Sequence, residues 1–264
     1  MTQDNPLQIR QVNATRYVTP LREGGSMPAI IEADDEFLYV LKFRGAGQGT
    51  KALIAELIGG EIARKLGFLM PELVFVDLPV GFGQMEGDEE IQDLLQSSVG
   101  INLGLHYLSH AITFDPQATE VDATLASKIV WLDALLMNVD RTVRNTNMLW
   151  WHKELWLIDH GASLYFHHSW NNKDGNQGFA LIKNHVLIKK ATELEAVDAQ
   201  FKGLISDEFI ESLVDTIPDN WLNDDHIFEN KDEHREAYKT FLKTRIANSQ
   251  SFIKEAENAR LSLI

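Results

Sequence analysis

The chain contains no cysteine. Disulfides, thiolate-bound zinc, iron–sulfur clusters and thiol nucleophiles are therefore excluded. Cationic residues are also scarce: 24 Lys and Arg stand against 39 Asp and Glu, for a formal net charge of −15. A chain of this charge lacks the positive footprint of a duplex-DNA binder, so no direct nucleic-acid binding is expected. A nucleotide is not excluded, because Mg2+ can carry positive charge to its phosphates. Long apolar runs are missing too. The greasiest stretch, Ile129 to Met137, is too short to span a bilayer and contains Asp133. The first ten residues are polar and offer no signal-peptide core. A cytoplasmic protein without a transmembrane segment is the expectation. There is no G-x-S-x-G elbow, no Walker G-x4-G-K-[ST] loop and no long G-x-G-x-x-G loop.

What remains is an ordinary globular composition. Hydrophobic residues make up 44% of 264 residues and charged ones 24%, which excludes disorder over the whole chain. The length suits one large domain or two lobes packed as a unit. No internal repeat is visible. Residues 27–33 and 37–43 read as two strands around an acidic turn, Asp34-Asp35-Glu36. In the second, Phe37, Tyr39, Leu41 and Phe43 share one face, and Leu38, Val40 and Lys42 the other. A helix is expected over 51–66, stopped at Gly67, with Gly59 and Gly60 each costing about 1 kcal/mol relative to Ala. Residues 73–78 read as a strand, and 81–104 as a Gly-rich acidic surface connection. Beyond a boundary near 110, residues 121–137 read as a buried helix, and 148–151 with 155–158 as a hairpin. Residues 171–178 have loop composition, and helical patterns follow at 186–204, 206–216 and 234–259.

The chemistry is concentrated in Asn138–Gly161, NVDRTVRNTNMLWWHKELWLIDHG. Asp140 follows the buried helix, Asn145 comes five residues later, and Asp159 closes the hairpin. This layout suits phosphoryl transfer. An Asp in a loop can orient or deprotonate an attacking hydroxyl. An amide oxygen and a carboxylate are hard ligands for Mg2+. The hairpin fixes the separation of Asn145 and Asp159, and Gly161 is expected to let the backbone turn tightly beside a metal. Asn147 is a nearby second amide, suited to capping or bracing the loop. Adjacent His167 and His168, taken as strand residues, point to opposite faces and do not share a metal. Trp150, Trp151 and Trp156 read as core or groove packing.

This ordered set resembles the catalytic and metal-binding segment of the atypical protein-kinase-like enzymes. It is most similar to the HipA-like kinases, whose loop has the form N-x-D-x-x-x-x-N. It shares D-R-x-x-x-N and I-D-x-G with phosphoinositide kinases, and aminoglycoside-phosphotransferase-like enzymes carry a related arrangement. The likeness runs from about residue 20 to 245. Two positions depart from the pattern: Thr142 stands where a His is usual and Arg144 where a Lys is common.

The resemblance implies an α+β, bilobal protein-kinase-like fold. Residues 1–110 would form a small β-rich N-lobe with one main helix, and residues 111–264 a larger, mostly helical C-lobe. It implies an ATP- and Mg2+-dependent phosphotransferase acting on a hydroxyl, first of all a protein Ser/Thr. A small-molecule or phosphoinositide-type lipid kinase is the alternative, as is a non-catalytic pseudokinase module. Asp140 would be catalytic, and Asn145 and Asp159 would hold metal. Lys42 would meet the nucleotide phosphates and pair with Glu56, with Glu61 as competitor about 140° away around the helix. Gly24, Gly25 and Ser26 resemble the short phosphate loop, and Gly45–Gly49 a flap or linker. Residues near 101–110 would form the hinge. A regulatory protein partner is also implied, since HipA-like proteins can work with DNA-binding antitoxins.

Overall fold

The structure, a computed structural model, describes residues 7–21, 27–84, 86–170, 173, 175–222 and 227–263. Five strands close into a barrel in the order β1 (Arg10–Pro20), β2 (Ala29–Ala33), β3 (Leu38–Lys42), β5 (Gly100–His106) and β4 (Leu73–Leu78). β4 meets β1 in parallel; the other pairs are antiparallel. Alternation directs Val12, Ile31, Tyr39, Leu41, Val74 and Val76 into the barrel, where they form a core of their own. The opposite face of β3 carries Lys42 outward, beside Val40, which packs on the main core.

β1 and β5 have no clean strand pattern in the sequence, for different reasons. β1 is interrupted by register shifts at Ala14/Arg16 and Tyr17/Thr19. The helix α2 (Glu89–Ser97) lies inside the stretch expected to be a surface connection and β5 begins inside it, so that expectation is corrected. Gly104 of β5 is required by packing: a Cβ there would lie 2.7 Å from Val76 Cγ2. α2 starts at Asp88, whose carboxylate accepts from Glu90 N–H at 3.0 Å, and turns Ile91 and Leu95 into the barrel core.

Helix α1 (Gly49–Lys65) is buried over most of its circumference, between the barrel and the C-terminal helices. α3 (Ala123–Leu136) is capped by Asp122, which accepts from Leu125 N–H at 2.7 Å, and ends at left-handed Met137. A short strand β6 (Ile112–Thr113) pairs with the hairpin β7 (Met148–Trp151) and β8 (Glu154–Leu157). Its turn residues, His152 and Lys153, both have positive φ, as a tight two-residue hairpin requires.

Four helices complete the chain: α4 (Leu194–Phe201), α5 (Asp207–Asp215), α6 (Lys231–Ala247) and α7 (Gln250–Leu261). The helix expected over 186–204 is confined to α4, preceded by short 3-10 turns. The one expected over 234–259 breaks at Asn248-Ser249. That break redirects the chain: α6 packs on α5, and α7 on α3. One continuous core runs from α1 through α3 to α7. Among the described residues no helix is long and apolar enough to cross a membrane.

Candidate active site

Lys42 Nζ lies 2.6 Å from Glu56 Oε2 and 2.5 Å from Asp159 Oδ1. Three segments distant in sequence thus meet at one ammonium group. Glu56 is fully buried on α1, whereas the Asp159 side chain keeps 45% of its surface exposed. Burial would lower Lys42, but the charges of Asp159 and Glu56 outweigh it and raise it above the ordinary lysine range. Lys42 in turn holds Asp159 below the usual carboxylate range. Burial pushes Glu56 upward against the pull of Lys42. Glu61, the competing choice, faces elsewhere and pairs with Arg64 at 3.2 Å.

Asp140 sits in the loop that leaves α3. Its Oδ2 accepts from Asn145 Nδ2 at 2.7 Å and from Asn147 Nδ2 at 3.2 Å, while its own N–H donates to Asn138 Oδ1 at 3.1 Å. Asn145 is exposed, and its Oδ1 accepts from no described residue. Asn147 is buried and also donates to the Asp159 carbonyl at 3.5 Å, so it braces the two acidic segments together. Both Asn147 (φ 48°) and Asp159 (φ 56°) are left-handed, a region that Asn and Asp enter more readily than other non-glycine residues. Gly161 sits in a tight turn, closed by Ser163 N–H to the His160 carbonyl at 2.9 Å, but the left-handed residue of the segment is not the glycine. Asp159 takes that conformation, and a Cβ on Gly161 would meet Asp159 Oδ1 at 3.5 Å and Glu56 Oε2 at 3.6 Å, ordinary contacts.

A buried polar network beneath the loop escaped the sequence reading. Asp133 of α3 accepts from Arg141 Nε at 2.6 Å, from His185 Nε2 at 2.9 Å and from Asn138 Nδ2 at 2.9 Å. Arg141 continues to the Asn147 carbonyl and to His160 Nε2, the latter at 3.2 Å. Burial opposes the Asp133 charge, yet Arg141 and His185 hold its pKa far below the ordinary value. Burial, seconded by Arg141, pushes His160 down to about 3, so its ring is neutral and Nε2 accepts from Arg141. The available signal was an Asp inside the apolar run Ile129–Met137, since such a charge needs a buried partner.

The remaining candidates fall as follows. Gly24, Gly25 and Ser26 lie outside the described residues. The segment from Gly45 to Gly49 is a pair of turns, with Gly45 N–H bound to Ser98 Oγ at 3.1 Å. Thr142 pairs with His185 through an isolated bridge, and Arg144 is exposed. His167 and His168 lie on a 3-10 turn rather than a strand. His167 meets the Tyr238 hydroxyl at 3.0 Å. Trp151 donates to the Ser109 carbonyl at 2.9 Å and packs edge-on against Trp156. Among the described residues no three His, Asp or Glu side chains converge as a metal cluster. The Asp140–Asn145–Asp159 set is two carboxylates and one amide, hard oxygen donors of the kind Mg2+ takes alongside phosphate and water.

The family profile of the HipA-like kinases matches residues 15–255. This chain belongs to that family. A crystal structure of the proinflammatory kinase CtkA from Helicobacter pylori is similar in fold, with a TM-score of 0.58 at 12% identity, over 97% of this chain and 100% of that one. No curated protein sequence matches. The kinase architecture is bilobal: a strand-rich N-terminal lobe carries Lys42 and Glu56, and a helical C-terminal lobe carries Asp140, Asn145 and Asp159.

Proposed function

We propose that this HipA-like kinase is an ATP- and Mg2+-dependent phosphotransferase acting on a hydroxyl, first of all that of a protein Ser/Thr. The observation that carries this reading is the contact of Lys42 with both Glu56 and Asp159. It joins a cation suited to phosphates, the carboxylate that orients that cation, and a carboxylate suited to a metal. The donor set fits: Asp159 is half exposed and held ionised, and Asn145 keeps its amide oxygen unengaged among the described residues.

In this reading residues 1–110 and 111–264 are the two lobes, hinged near 101–110, with the nucleotide between them. β5 ending at His106 and β6 pairing with the C-terminal hairpin support a boundary there. Lys42 binds phosphate oxygens and Glu56 holds its ammonium in place. The family resemblance assigns phosphate contact to Gly24, Gly25 and Ser26, which lie outside the described residues. Asn145 and Asp159 hold the metal. Asp140 orients the acceptor hydroxyl and takes its proton, while Asn145 and Asn147 fix the carboxylate that does so. Bound ATP supplies the phosphoryl group, and Mg2+ neutralises its charge. The contribution of the chain is positioning and electrostatics, the main sources of catalysis in phosphoryl transfer.

The test combines ligand-dependent thermal shift with transfer of labelled phosphate from ATP, to the protein itself and to lysate proteins. At a hundred times its dissociation constant, ATP adds about 2.7 kcal/mol, which raises the midpoint by roughly 5–10 °C at this size. Asp159→Asn should abolish the Mg2+-dependent part of the shift. Asp140→Ala should keep the shift and lose transfer. Normal turnover in either variant would overturn the assignment. Binding without transfer in the unaltered chain would favour the pseudokinase reading.

A further inference from the structure

From Leu66 to Ser127 the chain has no Lys or Arg, while Asp77 to Asp93 contains six carboxylates. The acidic part of it, the turn after β4 and α2, lies at the end of the barrel that α2 seals. There, between the turn after β4 and α2, runs a groove of about 390 Å³ lined by Val80, Phe82, Gln84, Leu95, Gln96 and Val99. Val80 is 87% exposed, the most exposed large apolar side chain among the described residues. Phe82 is half-buried against the barrel core, and Leu95 belongs to that core, so the groove floor is rigid. Glu89, Glu90 and Asp93 stand exposed on α2. Glu86 and Asp88 extend the same field to Tyr17 of β1, whose hydroxyl is pushed up to about 12 by burial and then by those two charges. Arg44 lies near the far edge, where its guanidinium donates to the Val99 carbonyl at 3.4 Å.

A groove lined by these apolar side chains together with Gln84, Gln92 and Gln96, and flanked by carboxylates that outnumber Arg44, has a defined complement. Phosphate backbones and anionic lipid surfaces are repelled by it. A cationic chain is attracted over a Debye length of about 8 Å at physiological salt. At about 390 Å³ the groove has room for a bulky anchor side chain and part of the peptide that carries it.

We propose that this groove is a docking site for a Lys/Arg-rich segment of a partner protein, held by one aliphatic or aromatic anchor beside Val80 and Phe82. Neither Lys42 nor the acidic residues of the active site take part. The proposal therefore stands whether or not the phosphotransfer reading does.

The experiment selects a phage-displayed library of short random peptides on the full chain, then measures the enriched peptides by titration calorimetry. Two variants discriminate. Glu89→Lys with Asp93→Lys reverses the exposed α2 carboxylates that lie nearest Gln92 and Gln96 around the helix and leaves the Asp88 cap intact. Val80→Ser removes apolar surface that makes little packing contact. Both should keep the wild-type melting temperature and the ATP response. The expected result is enrichment of peptides with Lys or Arg flanking Leu, Ile, Phe or Trp. Affinity should fall at least about tenfold on either variant. No enrichment, enrichment of acidic or neutral peptides, or equal binding to the variants would overturn the proposal. So would equal affinity for a polylysine without an anchor, which would reduce the surface to diffuse polyelectrolyte attraction.

Discussion

Gly59 of α1 lies directly against His160 of the Ile158–Gly161 segment: a Cβ on Gly59 would come within 2.6 Å of the His160 Cβ. The helix that carries Glu56 therefore approaches the strand end that carries Asp159 through a missing side chain. That close approach brings both carboxylates to Lys42. The helix accepts about 1 kcal/mol of lost propensity at this glycine in exchange for the contact.

Gly59→Ala should consequently destabilise the protein despite its better helix propensity. Overpacking of this kind costs about 1–3 kcal/mol. Phosphotransfer should fall further than stability accounts for, because α1 must shift and take Glu56 with it. Urea unfolding alongside labelled-phosphate transfer tests this. A stabilised, fully active variant would refute the packing argument.

Lys42→Met should destabilise by about 3–5 kcal/mol, the usual result of stripping the partner from a buried charge. Glu56 has no exposed surface and would be left without its cation. Adding Glu56→Gln should recover part of the loss, since a neutral amide is cheaper to bury. Neither variant should transfer phosphate. Chemical denaturation of Lys42→Met, Glu56→Gln and the double variant beside wild type, read as a double-mutant cycle, supplies the measurement.

Stability should decline as the pH drops below 6.5. His160 has its folded-state pKa lowered from 6.5 to about 3, so the unfolded chain takes up a proton there that the folded chain refuses. Its stabilising contribution is complete above pH 6.5 and is lost as the pH falls toward 3. The slope is up to about 1.4 kcal/mol per pH unit for this one group. His167, also held well below its ordinary value by burial, acts in the same direction. Unfolding curves at pH 7, 6 and 5 should be less pH-dependent in His160→Gln than in wild type. Identical slopes would mean that His160 is not kept neutral.

Arg245 of α6 is fully buried, and burial lowers it to about 10. Its guanidinium donates to the carbonyls of Leu135 at 2.7 Å, Ala134 at 2.5 Å and Gln177 at 2.8 Å. The first two belong to the last turn of α3, where Ala134 also accepts a long bond from Met137 N–H at 3.4 Å and Arg245 supplies the closer donor, just before the Asp140 loop. Arg245→Met should cost about 2–4 kcal/mol, with the melting temperature lowered by roughly 4–16 °C. Arg245→Lys, which restores a donor, should recover part of it. A melting temperature unchanged in Arg245→Met would show that water satisfies those carbonyls equally well.

The sequence alone determined the order and spacing of the reactive residues. Lys42 shares a face with Val40 because a strand alternates, and Asp140, Asn145 and Asp159 are ordered by a helix, a loop and a tight hairpin. These are local relationships, set by periodicity and turn chemistry within some twenty residues, and they could be read without a fold. Long-range packing decided the rest. β5 could not be recognised, because Gly104 is there to make room for Val76 across the barrel. Rotation separated Glu56 from Glu61, but only contact with Lys42 chose between them. Asp133, Arg141, His160 and His185 are brought together from three segments, and burial of the Asp133–Arg141 ion pair is tolerated only when the hydrogen-bond partners around it are present. Local pattern records where a side chain points; its partner depends on the closed barrel and on the helices packed beneath it.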